Sequence, residues 1–132
     1  MATKRLVTLR KYREFKALYD GDRGTVKGIS DKHLVVLIKR NGLDRNRFGI
    51  TAGRKVGKAV VRNKVRRRVR EILRNYFLSD KNAAEIVYMY TFDFVIIIKP
   101  SATGIDFWEL NGGLKRLLDK QLKPYEKREN YG

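Results

Sequence analysis

Residues 49–77 read GITAGRKVGKAVVRNKVRRRVREILRNYF, and the fold turns on how they are read. With Phe48, the first residues form a short strand-like run, Gly53 to Gly57 punctuate a turn, and the rest is a long amphipathic helix. Val61, Val65, Val69, Ile72 and Tyr76 recur at the spacing of one buried helical stripe. Nearly every other position is cationic: Arg54, Lys55, Lys58, Arg62, Lys64, Arg66, Arg67, Arg68, Arg70 and Arg74 are opposed by Glu71 alone. Like charges one turn apart, such as Arg62, Arg66 and Arg70, repel by roughly a few tenths of a kcal/mol per pair. A solvated surface helix interleaves both signs, so this one is read as a polyanion-binding helix. Arg predominates over Lys, which suits bidentate contact with phosphate and points to nucleic acid.

The same stretch carries a false lead. Residues 53–59, GRKVGKA, suggest a phosphate-cradling P-loop, but they are one residue short of GxxxxGK. Ala59 also stands where a Ser or Thr must reach a metal ion, so nucleotide hydrolysis is not expected. Composition narrows the class further. A chain of 132 residues suits one domain with a real core, and hydrophobic residues at 42% with aromatics at 11% exclude a disordered tail. Net charge of +17 favours nucleic acid or an anionic surface. No apolar run reaches the length of a membrane span, and no signal peptide is expected. The absence of cysteine excludes disulfides and thiolate chemistry, and fits a reducing cytoplasm.

Residues 49–71, GITAGRKVGKAVVRNKVRRRVRE, resemble the signature of the bacterial ribonuclease P protein component: a small-residue strand, a basic KVG turn and an RNR helix. Weaker similarity extends over roughly residues 9–122. One departure is Lys64, which stands third in the RNR triplet and keeps the charge without the guanidinium fork.

Along the chain, residues 1–9 are expected to form a loosely ordered basic arm. Residues 9–19, LRKYREFKALY, make a short helix with Tyr12, Phe15, Leu18 and Tyr19 on one edge. Rings four apart are core in the bland reading and a base-stacking surface in the functional one. A poor strand at 25–29 is followed by a good one at 33–39, with Leu34, Val36 and Ile38 on one face and Val35 and Leu37 on the other. His33, the single histidine, reads as a solvent-edge residue. Asn41-Gly42 suggests that this strand and the next, 47–52, form a hairpin-like pair. Phe48, Ile50 and Ala52 share one face of that second strand; Arg47, Gly49, Thr51 and Gly53 leave the other small and polar, open to close approach by a ligand.

After the basic helix, residues 78–85 read as a loop and 87–90 as a strand extension. Residues 92–98, FDFVIII, are apolar on both faces except at Asp93 and are expected at the centre of a sheet. Thr103 with Asp106 resembles a capping box for a last helix running to about Leu122. Its inner face is Leu110, Leu114, Leu117, Leu118 and Gln121, and Gly112-Gly113 signals close packing or a break. The charged tail to residue 132 is expected to be mobile.

These readings assemble as one α+β domain over 1–132, ordered from about 9 to 122, in the order α-β-β-β-α-β-α with one mixed sheet. The resemblance adds a left-handed β-α-β crossover through the basic helix, as in ribosomal protein S5 domain 2-like folds. It also implies a protein subunit of ribonuclease P, which removes the 5′ leader of precursor tRNA while its RNA carries the chemistry with Mg²⁺ held by that RNA. Carried over by motif, Lys58, Arg62, Asn63, Lys64, Arg66, Arg67 and Arg70 would contact the catalytic RNA. Phe15, Tyr19, Val35, Leu37, Thr51 and Lys55 would line the leader cleft, with Leu37 standing where the family often has an aromatic. The resemblance further implies a cytoplasmic protein, monomeric, one per RNA. No catalytic or metal-binding residue is expected here, because one isolated histidine and no carboxylate pair at ligand spacing offer neither a base nor a cage. Two other classes fit less well. A ribosomal-type structural RNA-binding protein needs no aromatic helix beside an open groove, and a DNA reader lacks a helix-turn-helix or dimer heptad.

Overall fold

Phe92–Ile98 (β5) orders the sheet. In the computed structural model, which describes residues 6–9, 11–21 and 25–126, β5 lies between Asn46–Ala52 (β4) and Leu34–Arg40 (β3). It runs parallel to β4 and antiparallel to β3. Leu6–Thr8 (β1) pairs parallel with β4, and Val26–Ser30 (β2) pairs antiparallel with β3, so the strand order is β1-β4-β5-β3-β2. The position of β5 explains its sequence. Phe92, Phe94, Ile96 and Ile98 bury on one face while Val95 buries on the other.

Helices Ala59–Ser79 (α2), Lys81–Met89 (α3) and Phe107–Leu122 (α4) cover the first face. Val65, Val69, Ile72, Leu73 and Tyr76 of α2 meet Leu34, Val36, Ile38, Phe48 and the β5 side chains in the main core. Leu110, Leu114, Leu117 and Leu118 of α4 complete it, as the periodicity predicts. On the other face, among the described residues, Tyr12–Tyr19 (α1) is the one helix, over a small cluster of Leu9, Leu18 and Val95 with Phe15, Leu37 and Ile97 half-buried beside it. The link from β4 to β5 through α2 and α3 is the β-α-β crossover between parallel neighbours.

Several expectations are corrected. Residues 6–8 form an edge strand instead of a loose arm, and Leu9 just after them is buried at 3% exposure. The first helix accordingly begins at Tyr12. Strands β3 and β4 are not a hairpin pair, because β5 inserts between them; Gly42 (φ 66°) turns the chain without making its flanks neighbours. Residues 78–90 hold neither a loop nor a strand extension. α2 continues to Ser79, and Asp80 caps α3 by accepting the Ala83 N–H. Val61 is 38% exposed, so the buried stripe of α2 starts at Val65.

At α4 the cap is Asp106, which accepts the Glu109 N–H at 2.8 Å, while the Thr103 hydroxyl donates to the Pro100 carbonyl. The helix runs unbroken through Gly112-Gly113. A Cβ on Gly113 would lie 3.3 Å from an Asp31 carboxylate oxygen, so close packing accounts for that glycine. Past Leu122, Tyr125 packs edge-on against Phe92 with ring centroids 5.0 Å apart. The tail expectation for 127–132 lies outside the described residues.

Candidate nucleic-acid interface

Because Val65, Val69, Ile72 and Tyr76 fix which side of α2 faces the core, its opposite side is determined too. Asn63, Arg67, Arg70 and Arg74, at i, i+4, i+7 and i+11, are all exposed and form a ridge about 16 Å long. Lys58 and Lys64 are exposed as well, while Arg62 and Arg66 are half-buried. Gly57, at φ 147°, leads from the 3-10 turn Arg54–Val56 into the helix, a conformation strained for any L side chain. The first turn carries no acidic residue, so the positive end of the helix dipole adds to the cationic field.

The cations are not equivalent. Arg66 donates to Asn63 Oδ1 at 3.0 Å and to the Ala52 carbonyl at 3.3 Å, tying α2 to the end of β4. Among the described residues, Arg62 Nε is a buried side-chain nitrogen with no hydrogen-bond partner. Arg74, not among the residues matched by motif, extends the ridge; its spacing four after Arg70 is the signal in the sequence that marks it. The charge is also segregated. Lys and Arg nearly balance Asp and Glu over residues 80–126, so the +17 excess comes from the part of the chain that holds α1, β4 and α2.

The residues matched to the leader cleft do come together on the sparsely covered sheet face. Val35, Leu37 and Thr51 are half-buried on it, and Lys55 is exposed in the turn after β4. The Tyr19 hydroxyl, on a residue 44% exposed, reaches Thr51 Oγ1 at 3.4 Å. Phe15 lies directly on β4, since a Cβ on Gly49 would fall 2.3 Å from its ring. Exposure thus separates the two rings: Phe15 packs on the sheet, and Tyr19 stays open at its edge. Tyr12, at 76% exposure, is a second open ring that the motif does not single out.

Beneath α1 lies an ion-pair network. Arg47 donates from Nε and Nη2 to the two oxygens of Asp93 at 2.8 and 2.7 Å, and from Nη1 to Glu14 at 2.6 Å. Asp93 is 4% exposed and also accepts from Asn41 Nδ2. Its hydrogen bonds hold the Arg47 guanidinium above its ordinary pKa against the cost of burial. Arg47 is thus committed within the protein.

His33 is not a solvent-edge residue. Its Nδ1 lies 2.7 Å from Ser101 Oγ and its Nε2 3.8 Å from Glu109. Ser101 in turn donates its proton to the Lys32 carbonyl at 2.9 Å, so its hydroxyl proton is turned to the backbone and away from His33. Among the described residues, no three His, Cys, Asp or Glu side chains cluster to hold a metal ion, and no helix is long and apolar enough to cross a membrane. A cavity of about 360 Å³ beside Tyr76 and Asp119 lies on the helical side, away from the ridge and the open face. There burial, then the bond to Asp119, pushes the Tyr76 hydroxyl well above its ordinary pKa.

A mixed sheet with three helices on one face, one short helix on the other and an arginine ridge alongside defines a small basic α+β protein built to hold a polyanion. Comparison with known proteins agrees: the Ribonuclease P family model matches residues 3–122. The chain therefore belongs to the ribonuclease P protein family, the protein components of the ribonucleoprotein endoribonuclease that matures tRNA 5′ ends and that functions with an RNase P RNA. Among its relatives, the ribonuclease P protein component of Clostridium kluyveri is 35% identical over 112 residues, covering 85% of this chain and 91% of the relative. That of Thermotoga maritima is 38% identical over 98 residues, covering 71% and 77%. A solved RNase P protein structure from Thermotoga maritima superposes with a TM-score of 0.66 at 33% identity, covering 86% of this chain and 96% of that one. One from Staphylococcus aureus gives 0.70 at 22% identity over 86% and 94%, a likeness of fold.

Proposed function

We propose that this chain uses its two surfaces for two RNAs in one holoenzyme. The α2 surface, with Lys58, Arg62, Asn63, Lys64, Arg66, Arg67 and Arg70 and now Arg74, contacts the RNase P RNA. The open sheet face beside α1, with Tyr19, Val35, Leu37, Thr51 and Lys55 and the packed ring of Phe15, holds the single-stranded 5′ leader of precursor tRNA. The observation that carries this reading is the pairing of an exposed cationic ridge with a separate, half-open apolar face edged by Tyr19. Phosphates bind the first through charge, and unpaired bases stack on the second.

On the sheet face the carboxylates of Glu14 and Asp93 are both engaged by Arg47. In this reading Mg²⁺ is held by the RNA, and the chain supplies binding and charge screening. One protein per RNA, monomeric by itself and working in the cytoplasm, completes the proposal.

The test compares precursor with mature tRNA on the reconstituted holoenzyme. Tyr19→Ala is expected to weaken precursor binding by about 1–3 kcal/mol while leaving mature tRNA binding unchanged, because the precursor alone carries a leader to stack. The isolated protein should leave precursor tRNA uncut, with 5′ processing appearing when RNase P RNA is added. Equal losses on both tRNAs would remove the leader from this face.

A further inference from the structure

α1 has only eight residues, too short to hold itself as a helix in water. Besides the Tyr19–Thr51 hydrogen bond at its far end, three contacts among the described residues hold it on the sheet. Leu18 is 2% exposed in the small cluster, Phe15 lies on the bare backbone of Gly49, and Glu14 reaches Arg47. The first two are apolar contacts, which fix distance better than rotation. The third is directional. One Glu14 oxygen accepts the Lys11 N–H at 3.0 Å, closing the start of the helix, and the other accepts Arg47 Nη1 at 2.6 Å. Arg47 has no freedom of its own, since both oxygens of the buried Asp93 grip it and their Cα atoms are register partners across β4 and β5. A single carboxylate thus joins the cap of α1 to the central strand. Rotation of α1 about its own axis would swing Tyr19, at the other end, away from Thr51.

We propose that Glu14 is a positioning residue for leader binding: through Arg47 and Asp93 it sets the roll of α1, and hence where the rings edging the open face stand. It touches no RNA itself. This inference rests on the leader reading above, and it accounts for an acidic side chain kept on a face that receives an anionic strand. Glu14 and Asp93 both turn toward Arg47, so their charge is answered within the protein.

The test uses reconstituted holoenzyme with Glu14→Ala, Glu14→Gln, Tyr19→Ala and the Glu14→Ala/Tyr19→Ala double variant. Glu14→Ala should weaken precursor tRNA binding about fivefold to tenfold, part of what removing a whole base–ring stack costs. Mature tRNA binding, affinity for the RNase P RNA and the cleavage rate at saturating precursor should all stay unchanged. Glu14→Gln, which keeps one acceptor oxygen, should show a smaller loss of the same selectivity. In the double variant, Glu14→Ala should add less than it costs alone, because the ring it positions is gone. Equal losses on precursor and mature tRNA, or full additivity with Tyr19→Ala, would overturn the proposal in favour of a merely structural pair. Should circular dichroism show that Glu14→Ala does not fold, Glu14→Gln decides: precursor-selective loss supports the proposal, and unchanged or equal binding overturns it. A precursor-selective loss in Tyr19→Ala without one in either Glu14 variant sinks this inference and leaves the leader reading standing. No selective loss in Tyr19→Ala sinks the leader reading itself.

Discussion

Replacing Asp93 by Ala is expected to lower the stability of the fold by about 3–5 kcal/mol, the scale for breaking a buried ion pair by removing one partner. The residue is 4% exposed in the central strand, and its two oxygens answer Arg47 Nε and Nη2 as well as Asn41 Nδ2. Without it, a half-buried guanidinium is left with Glu14 alone, and an amide donor loses one of its two acceptors. Domains of this size have only about 5–15 kcal/mol in total, so the urea midpoint should move far or the chain should fail to fold. The penalty belongs to the orphaned partner and not to the pair. Changing Asp93→Leu and Arg47→Met together should therefore cost less than Asp93→Ala by itself, although Glu14 then loses its bond to Arg47. A loss below about 1 kcal/mol for Asp93→Ala, the scale of an exposed pair, would show that water reaches the site and that the network does not hold the sheet.

Asp93 also shows how far the sequence could be read. Its setting within FDFVIII is legible as a central strand because a run apolar on both faces has nowhere else to go. That the one charge in the run answers Arg47 is not legible, since the two residues are joined only by the β4–β5 pairing. The same limit hides β1. Its pairing with β4 is between distant residues, and LVT is too short to show a period. The Asn41-Gly42 signal is real as a turn, but a turn says nothing about a strand inserted later in the chain. Residues 78–90 mislead for a different reason. Asp80, Ala83, Ile86 and Val87 carry a cap and a helical spacing, and the β-prone pair Val87-Tyr88 masks them. At the interface, strand alternation alone separates the open face of β4 from its buried one. Composition finds the basic helix, but counting charges cannot tell Arg70, which is exposed, from Arg66, which is half-buried and donates to Ala52 and Asn63.

That distinction sets the largest effect expected on binding. Replacing Arg67, Arg70 and Arg74 together by Ala should lower the salt slope of log affinity for the RNase P RNA by about two to three units, at about 0.7–0.9 for each phosphate no longer neutralised. With the affinity at about 1 M salt unchanged, the same slope makes binding at about 0.1 M weaker by on the order of 10²–10³-fold. The fold should not suffer. All three side chains are exposed, Ala is the better helix former, and the change removes the like-charge pair Arg70/Arg74 as well as the Arg66/Arg70 repulsion. The control is a second triple, Lys115→Ala, Arg116→Ala and Lys120→Ala on α4, which removes the same charge from exposed positions beyond the ridge. If net charge alone governed association, both triples would shift the slope alike. If the ridge is the RNA surface, the α4 triple should leave the slope nearly unchanged, because a charge more than a Debye length of about 8–10 Å from the phosphates is screened. A salt titration of filter binding decides it: equal slopes for the two triples would take the RNase P RNA off α2, whatever the helix's charge.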